Sequence, residues 1–212
     1  VIHPKQILSN RKVGSLEEHF ITPAALLQVV GPKGSIAYVD SAEASHPGVV
    51  KLQGTNKSGG WAFLRTYNNF LFGSDAWEFN STIRIGNTPV TEGGIFRFGF
   101  ISITPDSVGS DGVWLQVDNS QASNIASWVV SVGGVLLSTT PCTYSLATWN
   151  DITIKVASSL QVAVNKEEKV LVLPPTLLTT SLGVGLQVVK SVGSSVPCVL
   201  DVDYVRLAWS LR

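Results

Sequence analysis

Between Ile36 and Trp209 almost every apolar run alternates at period two, and each is cut short by Gly, Pro, Asn or Ser. Successive side chains of a strand point to opposite faces, so the pattern fits half-buried β-strands rather than amphipathic helices. The clearest run is Trp77 to Ile85. Trp77, Phe79, Ser81, Ile83 and Ile85 share one face; Glu78, Asn80, Thr82 and Arg84 share the other. Ile95 to Ile103 differs, with Phe96, Phe98 and Phe100 on one face and Ile95, Ile101 and Ile103 on the opposite one. A strand apolar on both faces sits in the middle of a sheet or under a cover.

Further strands are expected at Ile36–Val39, Val49–Leu52, Trp61–Tyr67, Val113–Val117 and Ile125–Val130. Gly133-Gly134 reads as a hairpin turn into Val135–Leu137. Ile152–Val156, Leu160–Val164, Val170–Leu173, Gly183–Lys190 and Val199–Trp209 complete the set. Many short, evenly spaced strands with almost no helix predict an all-β fold, a two-sheet antiparallel β-sandwich. The expected organisation is an N-terminal extended arm over 1–35 and a jelly-roll sandwich over 36–212.

The first 35 residues break the alternation. Ser15-Leu16-Glu17-Glu18 carries a capping serine with acids behind it, which predicts the start of a short helix. Gly31-Pro32-Lys33-Gly34 predicts a turn. The region reads equally as an edge strand of the sandwich or as a segment lying on a neighbouring subunit. In the second reading Ile2, Pro4, Ile7, Leu8, Arg11 and Lys12 form the assembly arm.

Charge narrows the partners. Fifteen basic residues balance fifteen acidic ones and only 14% of the chain is charged, which argues against nucleic acid as a partner and favours self-assembly. No stretch approaches the ~20 apolar residues of a membrane helix, and the N-terminus shows no signal-peptide pattern. Cys142 and Cys198 lie far apart and read as two thiols, with a disulfide left open.

Catalytic constellations are sparse. Asp201 and Asp203 are the one i, i+2 acid pair within a strand, and glycoside hydrolysis needs two facing carboxylates. His3, His19 and His46 follow no nucleophile elbow. Asp106, Asp111, Asp118 and Asn119 are oxygen donors in loops, where such residues more often cap turns than hold a cation. No cofactor or metal is expected. Six tryptophans are the other signal. Trp61, Trp77 and Trp149 are expected in the core. Trp114 alternates onto the face of Gln116 and Asp118, so Trp114, Gln116, Asp118 and Trp128 are the expected glycan-binding platform.

Several segments resemble a module of tailed-bacteriophage structural proteins. They are His46-Pro47-Gly48-Val49-Val50-Lys51-Leu52, Gly59-Gly60-Trp61-Ala62-Phe63-Leu64-Arg65 and Trp77 to Ile85. Asp111-Gly112-Val113-Trp114-Leu115-Gln116-Val117-Asp118 and Leu200-Asp201-Val202-Asp203-Tyr204-Val205-Arg206-Leu207 continue the match. The resemblance implies a concanavalin-A-like (lectin/glucanase) jelly roll without transferable catalytic residues. It implies a non-catalytic virion structural protein, foremost a capsid decoration (cement) protein docked through its arm. The alternative is a tail-fibre or tail-associated module that binds a host-surface glycan; a polysaccharide-cleaving enzyme ranks behind both. The implied partners are other virion proteins and further copies of the chain, a trimer being one arrangement. The implied location is the virion surface, after synthesis in the host cytoplasm. One departure is the turn Asn165-Lys166-Glu167-Glu168, where the module carries Asn-Gly.

Overall fold

The computed structural model describes residues 13–18, 27–31, 34–40, 43–46, 48–54, 59–66, 70–73, 75–102, 111–120, 125–193 and 195–210. The first strands are β1 (Val13–Glu18), β2 (Leu27–Val30), β3 (Gly34–Asp40), β4 (Gly48–Gly54) and β5 (Trp61–Arg65). Then come β6 (Ala76–Ile85), β7 (Gly94–Ile101), β8 (Gly112–Asp118), β9 (Ile125–Val132) and β10 (Val135–Pro141). The chain closes with β11 (Asn150–Val156), β12 (Leu160–Val164), β13 (Glu167–Leu171), β14 (Gly183–Lys190) and β15 (Cys198–Ser210). Two short 3-10 turns, Val90–Glu92 and Pro175–Thr179, are the helical elements among the described residues.

The strands form two antiparallel sheets. Sheet A has the order β13-β12-β11-β6-β15-β4-β3, with β1 added beside β15; sheet B has the order β10-β9-β8-β7-β14-β5-β2. Neighbours in the sheets are mostly distant in sequence, so the core closes only when the whole chain is in place. That core takes alternate residues of both sheets: Phe79, Ile83, Ile154, Val162 and Leu200 from sheet A, and Phe96, Phe98, Phe100, Leu115 and Leu186 from sheet B. Phe100 meets Phe72 edge-on at 4.9 Å, a favoured aromatic geometry.

Turn chemistry sets the register. Gly133 and Gly134 have φ of 62° and 74°, as a two-residue hairpin between β9 and β10 requires. Asn165 and Lys166 also take positive φ, 49° and 71°. The predicted four-residue turn is therefore two residues long, and β13 starts at Glu167 instead of Val170.

The helix expected from Ser15 is not formed. Val13–Glu18 is strand β1, paired with Glu18↔Val205 through Val13↔Ser210. A continuous ladder on β15 outweighs a local capping preference. Leu27–Val30 likewise pairs with β5, so both strands before residue 31 belong to the sandwich. At the expected turn before β3, Gly34 N donates to Gly31 O at 3.1 Å, and Pro32 and Lys33 lie outside the described residues. The arm residues Ile2, Pro4, Ile7, Leu8, Arg11 and Lys12 lie outside the described residues.

Candidate functional site

The outer face of sheet A is polar by alternation. β6 sends Phe79, Ser81, Ile83 and Ile85 inward, leaving Glu78, Asn80, Thr82 and Arg84 outward. β11 does the same with Asp151, Thr153 and Lys155. The register sets these groups side by side: Asp151 opposite Thr82, Thr153 opposite Asn80, Lys155 opposite Glu78. Tyr204 and Arg206 of β15 face Thr82 and Asn80 from the other side.

These side chains bond one another. Asn80 Nδ2 donates to Glu78 Oε1 at 2.8 Å, and Thr153 Oγ1 donates to Asn80 Oδ1 at 2.9 Å. Thr82 Oγ1 donates to Asp151 Oδ1 at 2.8 Å. Partial burial, reinforced by Glu17, raises the Tyr204 phenol above its ordinary pKa and keeps it a proton donor. Between them lies a groove of about 430 Å³. A second depression of about 320 Å³ continues it through the shared Glu78 and Lys155. Trp77 and Trp209 line this second part from the core side of the sheet at its strand ends, stacked with centroids 5.8 Å apart and both partly exposed.

Beyond Thr82 the face is closed by a charged wall. Arg84 donates Nε and Nη2 to Asp201 Oδ2 at 3.1 and 2.9 Å, and Nη1 to Glu43 Oε1. Trp149 Nε1 donates to Glu43 Oε2 at 2.7 Å, and the Arg84 guanidinium lies 4.5 Å from the indole centroid. His46 stacks on Trp149 at 4.1 Å, with Nδ1 2.8 Å from Asp203 Oδ2. The bonds from Trp149 and Arg84 hold the Glu43 carboxyl below the ordinary carboxylate range. Burial works against the Arg84 charge, but the bonds to Glu43 and Asp201 outweigh it and raise its pKa. Trp149 is anchored from below: Asn150 Nδ2 donates to the carbonyls of Ser145 and Thr148, both at 2.8 Å.

Asp201 and Asp203, the strand acids considered for catalysis, belong to this wall. A register shift between Val202 and Tyr204 interrupts their alternation. Each is engaged with a different base, Arg84 and His46 respectively.

The expected platform on β8 is built differently. Trp114 does face away from the main core, beside Gln116 and Asp118, yet it is 2% exposed and packs with Ile101 and Val129. Trp128 is fully buried on the inner face, its backbone opposite Leu115. The two indoles therefore point to opposite sides of sheet B and form no exposed stacking surface. The error lies in equating an outward-pointing strand position with a solvated one; the outer face of sheet B is itself covered. Gln116 Oε1 accepts from Arg97 Nε at 3.0 Å, and Gln187 Oε1 accepts from Arg97 Nη1 at 2.8 Å. Burial pushes this guanidinium down to about 10, with Asp118 partly opposing the shift. Of the three indoles expected in the core, Trp77 is half-buried and packs against it, whereas Trp61 and Trp149 are partly exposed and lie outside it.

The loop oxygens cap turns. Asp118 Oδ1 accepts from Ser120 N at 2.9 Å, Asn119 Oδ1 from Gly94 N at 2.7 Å, and Asp111 Oδ1 from Gly133 N. Asp106 lies outside the described residues. Cys142 and Cys198 are free thiols, each pushed by burial up to about 11.

The signal that could have found the groove was in the sequence. The outward sets of β6 and of Asp151-Ile152-Thr153-Ile154-Lys155 both alternate cleanly, but their adjacency is long-range and no spacing announces it. Glu43 and Tyr204 gave no signal of their own.

Comparison with solved structures identifies the fold as a concanavalin-A-like lectin sandwich. A protein of unknown function from Shewanella oneidensis MR-1 superposes with a TM-score of 0.69 at 12% identity, covering 100% of this chain and 95% of that one. Peanut lectin superposes at 0.64 with 14% identity, covering 94% and 98%. The exoplasmic/lumenal domain of VIP36, in its Ca²⁺/Man-bound form, superposes at 0.54 with 13% identity, covering 84% and 83%. No protein-family profile and no curated protein matches the chain.

Proposed function

We propose that this protein is a non-catalytic glycan-binding module whose ligand lies along the outer face of sheet A. The observation that carries the reading is the continuous groove. It offers an amide, hydroxyls, a carboxylate and an amine over Asn80, Thr82, Thr153, Asp151 and Lys155, then, round the strand ends, a stacked indole pair on the core side at Trp77 and Trp209. Sugars present alternating hydroxyls and apolar C–H faces, which such a surface matches with hydrogen bonds and ring contacts. The lectin folds of the neighbours support the same reading, and the mannose-bound neighbour gives it a sugar class to try first. Fold alone does not carry function, so the groove must.

The test is a glycan-array screen followed by titration of the best binder. Asn80→Ala and Lys155→Ala are expected to weaken binding about tenfold each, the loss of roughly one charged or neutral hydrogen bond. An array without binders would remove the reading; equal affinity in both variants would move the site elsewhere.

A second reading adds a setting: the surface of a phage virion, as a capsid decoration protein or as a tail-fibre component. It rests on the resembling segments, of which His46–Leu52, Trp77–Ile85 and Leu200–Leu207 contribute to β4, β6 and β15 of sheet A, and Gly59–Arg65 and Asp111–Asp118 to β5 and β8 of sheet B. In this setting the N-terminal arm docks on other virion proteins. Labelling the protein in intact particles by electron microscopy tests it, and absence from particles would contradict it.

A further inference from the structure

The floor of the groove is a row that crosses sheet A. Pairing sets Glu168 opposite Ala163, Ala163 opposite Thr153, Thr153 opposite Asn80, Asn80 opposite Arg206 and Arg206 opposite Glu17. All but Glu17 line the groove. The row passes through β13, β12, β11, β6, β15 and β1, and among the described residues neither β13 nor β1 has a strand beyond it. Five strand spacings of roughly 4.8 Å make the row about 24 Å long, from one edge of the sheet to the other.

Along the strands the way is barred on one side. Beyond Thr82 the turn carrying Glu43 and His46 stands on Arg84 and Trp149. On the other side lie Glu78 and Lys155, opposite each other in register, and these are the two residues shared with the second depression.

Charge on the lining is balanced and interleaved. Glu78, Asp151 and Glu168 are met by Lys155, Lys166 and Arg206. Glu78 and Asp151 stand on opposite sides of the Asn80–Thr153 floor, so an anion placed there has a carboxylate on either side. Glu168 and Arg206 sit towards opposite ends of the row. This lining presents no single-signed stretch of the kind a uronate or sulfate group would need.

Building on the glycan reading, we propose that the groove holds an uncharged polysaccharide by an internal stretch that crosses the strands, and does not close on a terminal sugar. A site for a chain end blocks the chain's onward path. Here the blocked direction is along the strands and the open one is across them. The centre supplies neutral contacts, the Asn80 amide and the Thr153 hydroxyl, held by bonds to Glu78 and to each other. A branch leaving the chain beside Glu78 and Lys155 reaches Trp77 and Trp209, so a chain that carries one there fills both depressions and binds best.

The experiment is calorimetric titration of the full chain with neutral oligosaccharides of one backbone and rising length, taken from the array binders. Affinity is expected to rise about tenfold or more from the single sugar to a chain that spans the row. Blocking both chain ends, by reduction at one and methylation at the other, should leave Kd within about twofold. Oxidising the primary alcohols to uronates should weaken binding about tenfold. Ala163→Leu, which fills the row between Glu168 and Thr153, should bring long chains down to the affinity of short ones. Glu168→Lys, at the exposed edge, serves as the second variant should Ala163→Leu fail to fold; it tilts the lining positive and should narrow the gap between neutral and uronate chains. A single sugar that binds as tightly as the longest chain, binding lost on blocking the ends, or a preference of the wild type for the uronate chain would overturn the proposal and leave the glycan reading standing. An array without binders would remove both.

Discussion

The outward residues of sheet A and of sheet B occupy equivalent places in alternating strands, yet they meet different surroundings. Outside sheet A, Glu78, Asn80, Thr82 and Asp151 bond sideways and border an open groove. Outside sheet B, Trp114, Ile101 and Val129 are buried and a guanidinium, Arg97, is held under cover by two neutral amides. Alternation assigns a side chain to a face; it does not say whether that face is wet. The polar outer face is free to meet a ligand, whereas the covered one contributes to stability.

The contrast breaks most sharply at Trp114. Trp114→Ala removes a large buried side chain and is expected to cost about 3–5 kcal/mol in urea unfolding. A loss within about 0.5 kcal/mol, as for a surface residue, would mean that sheet B's outer face is open. Gly185→Ala probes the same cover. Its Cβ would come within 2.5 Å of Phe63 Cε2, on the outer side of β5. Overpacking there is expected to cost about 1–3 kcal/mol, read by the same unfolding curve.

Outer-face changes on sheet A should be milder in stability. Arg84→Lys keeps the charge but loses the two-pronged bond to Asp201 and the planar contact with Trp149. About 1 kcal/mol is expected by denaturation, since Arg84 is partly exposed and solvent screens its pairs. The smallest effect is on acidity. Glu43 has a lowered carboxyl pKa, so its pairing is complete above the ordinary carboxylate value and is lost as pH falls through the lowered one. The Trp149 indole N–H resonance should therefore shift in acid, below the reference value of 4.5, and stay constant at neutral pH. A Trp149 signal that does not move in acid would contradict the pairing with Glu43.

Much of the fold was legible because strand periodicity is local. Trp77–Ile85 and Phe96, Phe98 and Phe100 keep the faces that alternation predicts. Ser15–Glu18 misled because a capping signal is local while the β15 ladder that overrides it is long-range. The site was the least legible part. Searching for an exposed indole selected Trp114 and Trp128, which are buried, and passed over Trp77 and Trp209. Groove residues Asn80, Thr153 and Tyr204 come from three strands distant in sequence, and only the sheet order makes them neighbours.

The central claim is that ligand meets the outer face of sheet A and the strand ends at Trp77 and Trp209, and leaves the outer face of sheet B untouched. The six tryptophan side chains report on it directly in one spectrum. Titrating the best-binding glycan while recording the indole N–H signals should move Trp77 and Trp209 and leave Trp114 and Trp128 in place. Shifts confined to Trp114, with Trp77 and Trp209 unmoved, would contradict the account.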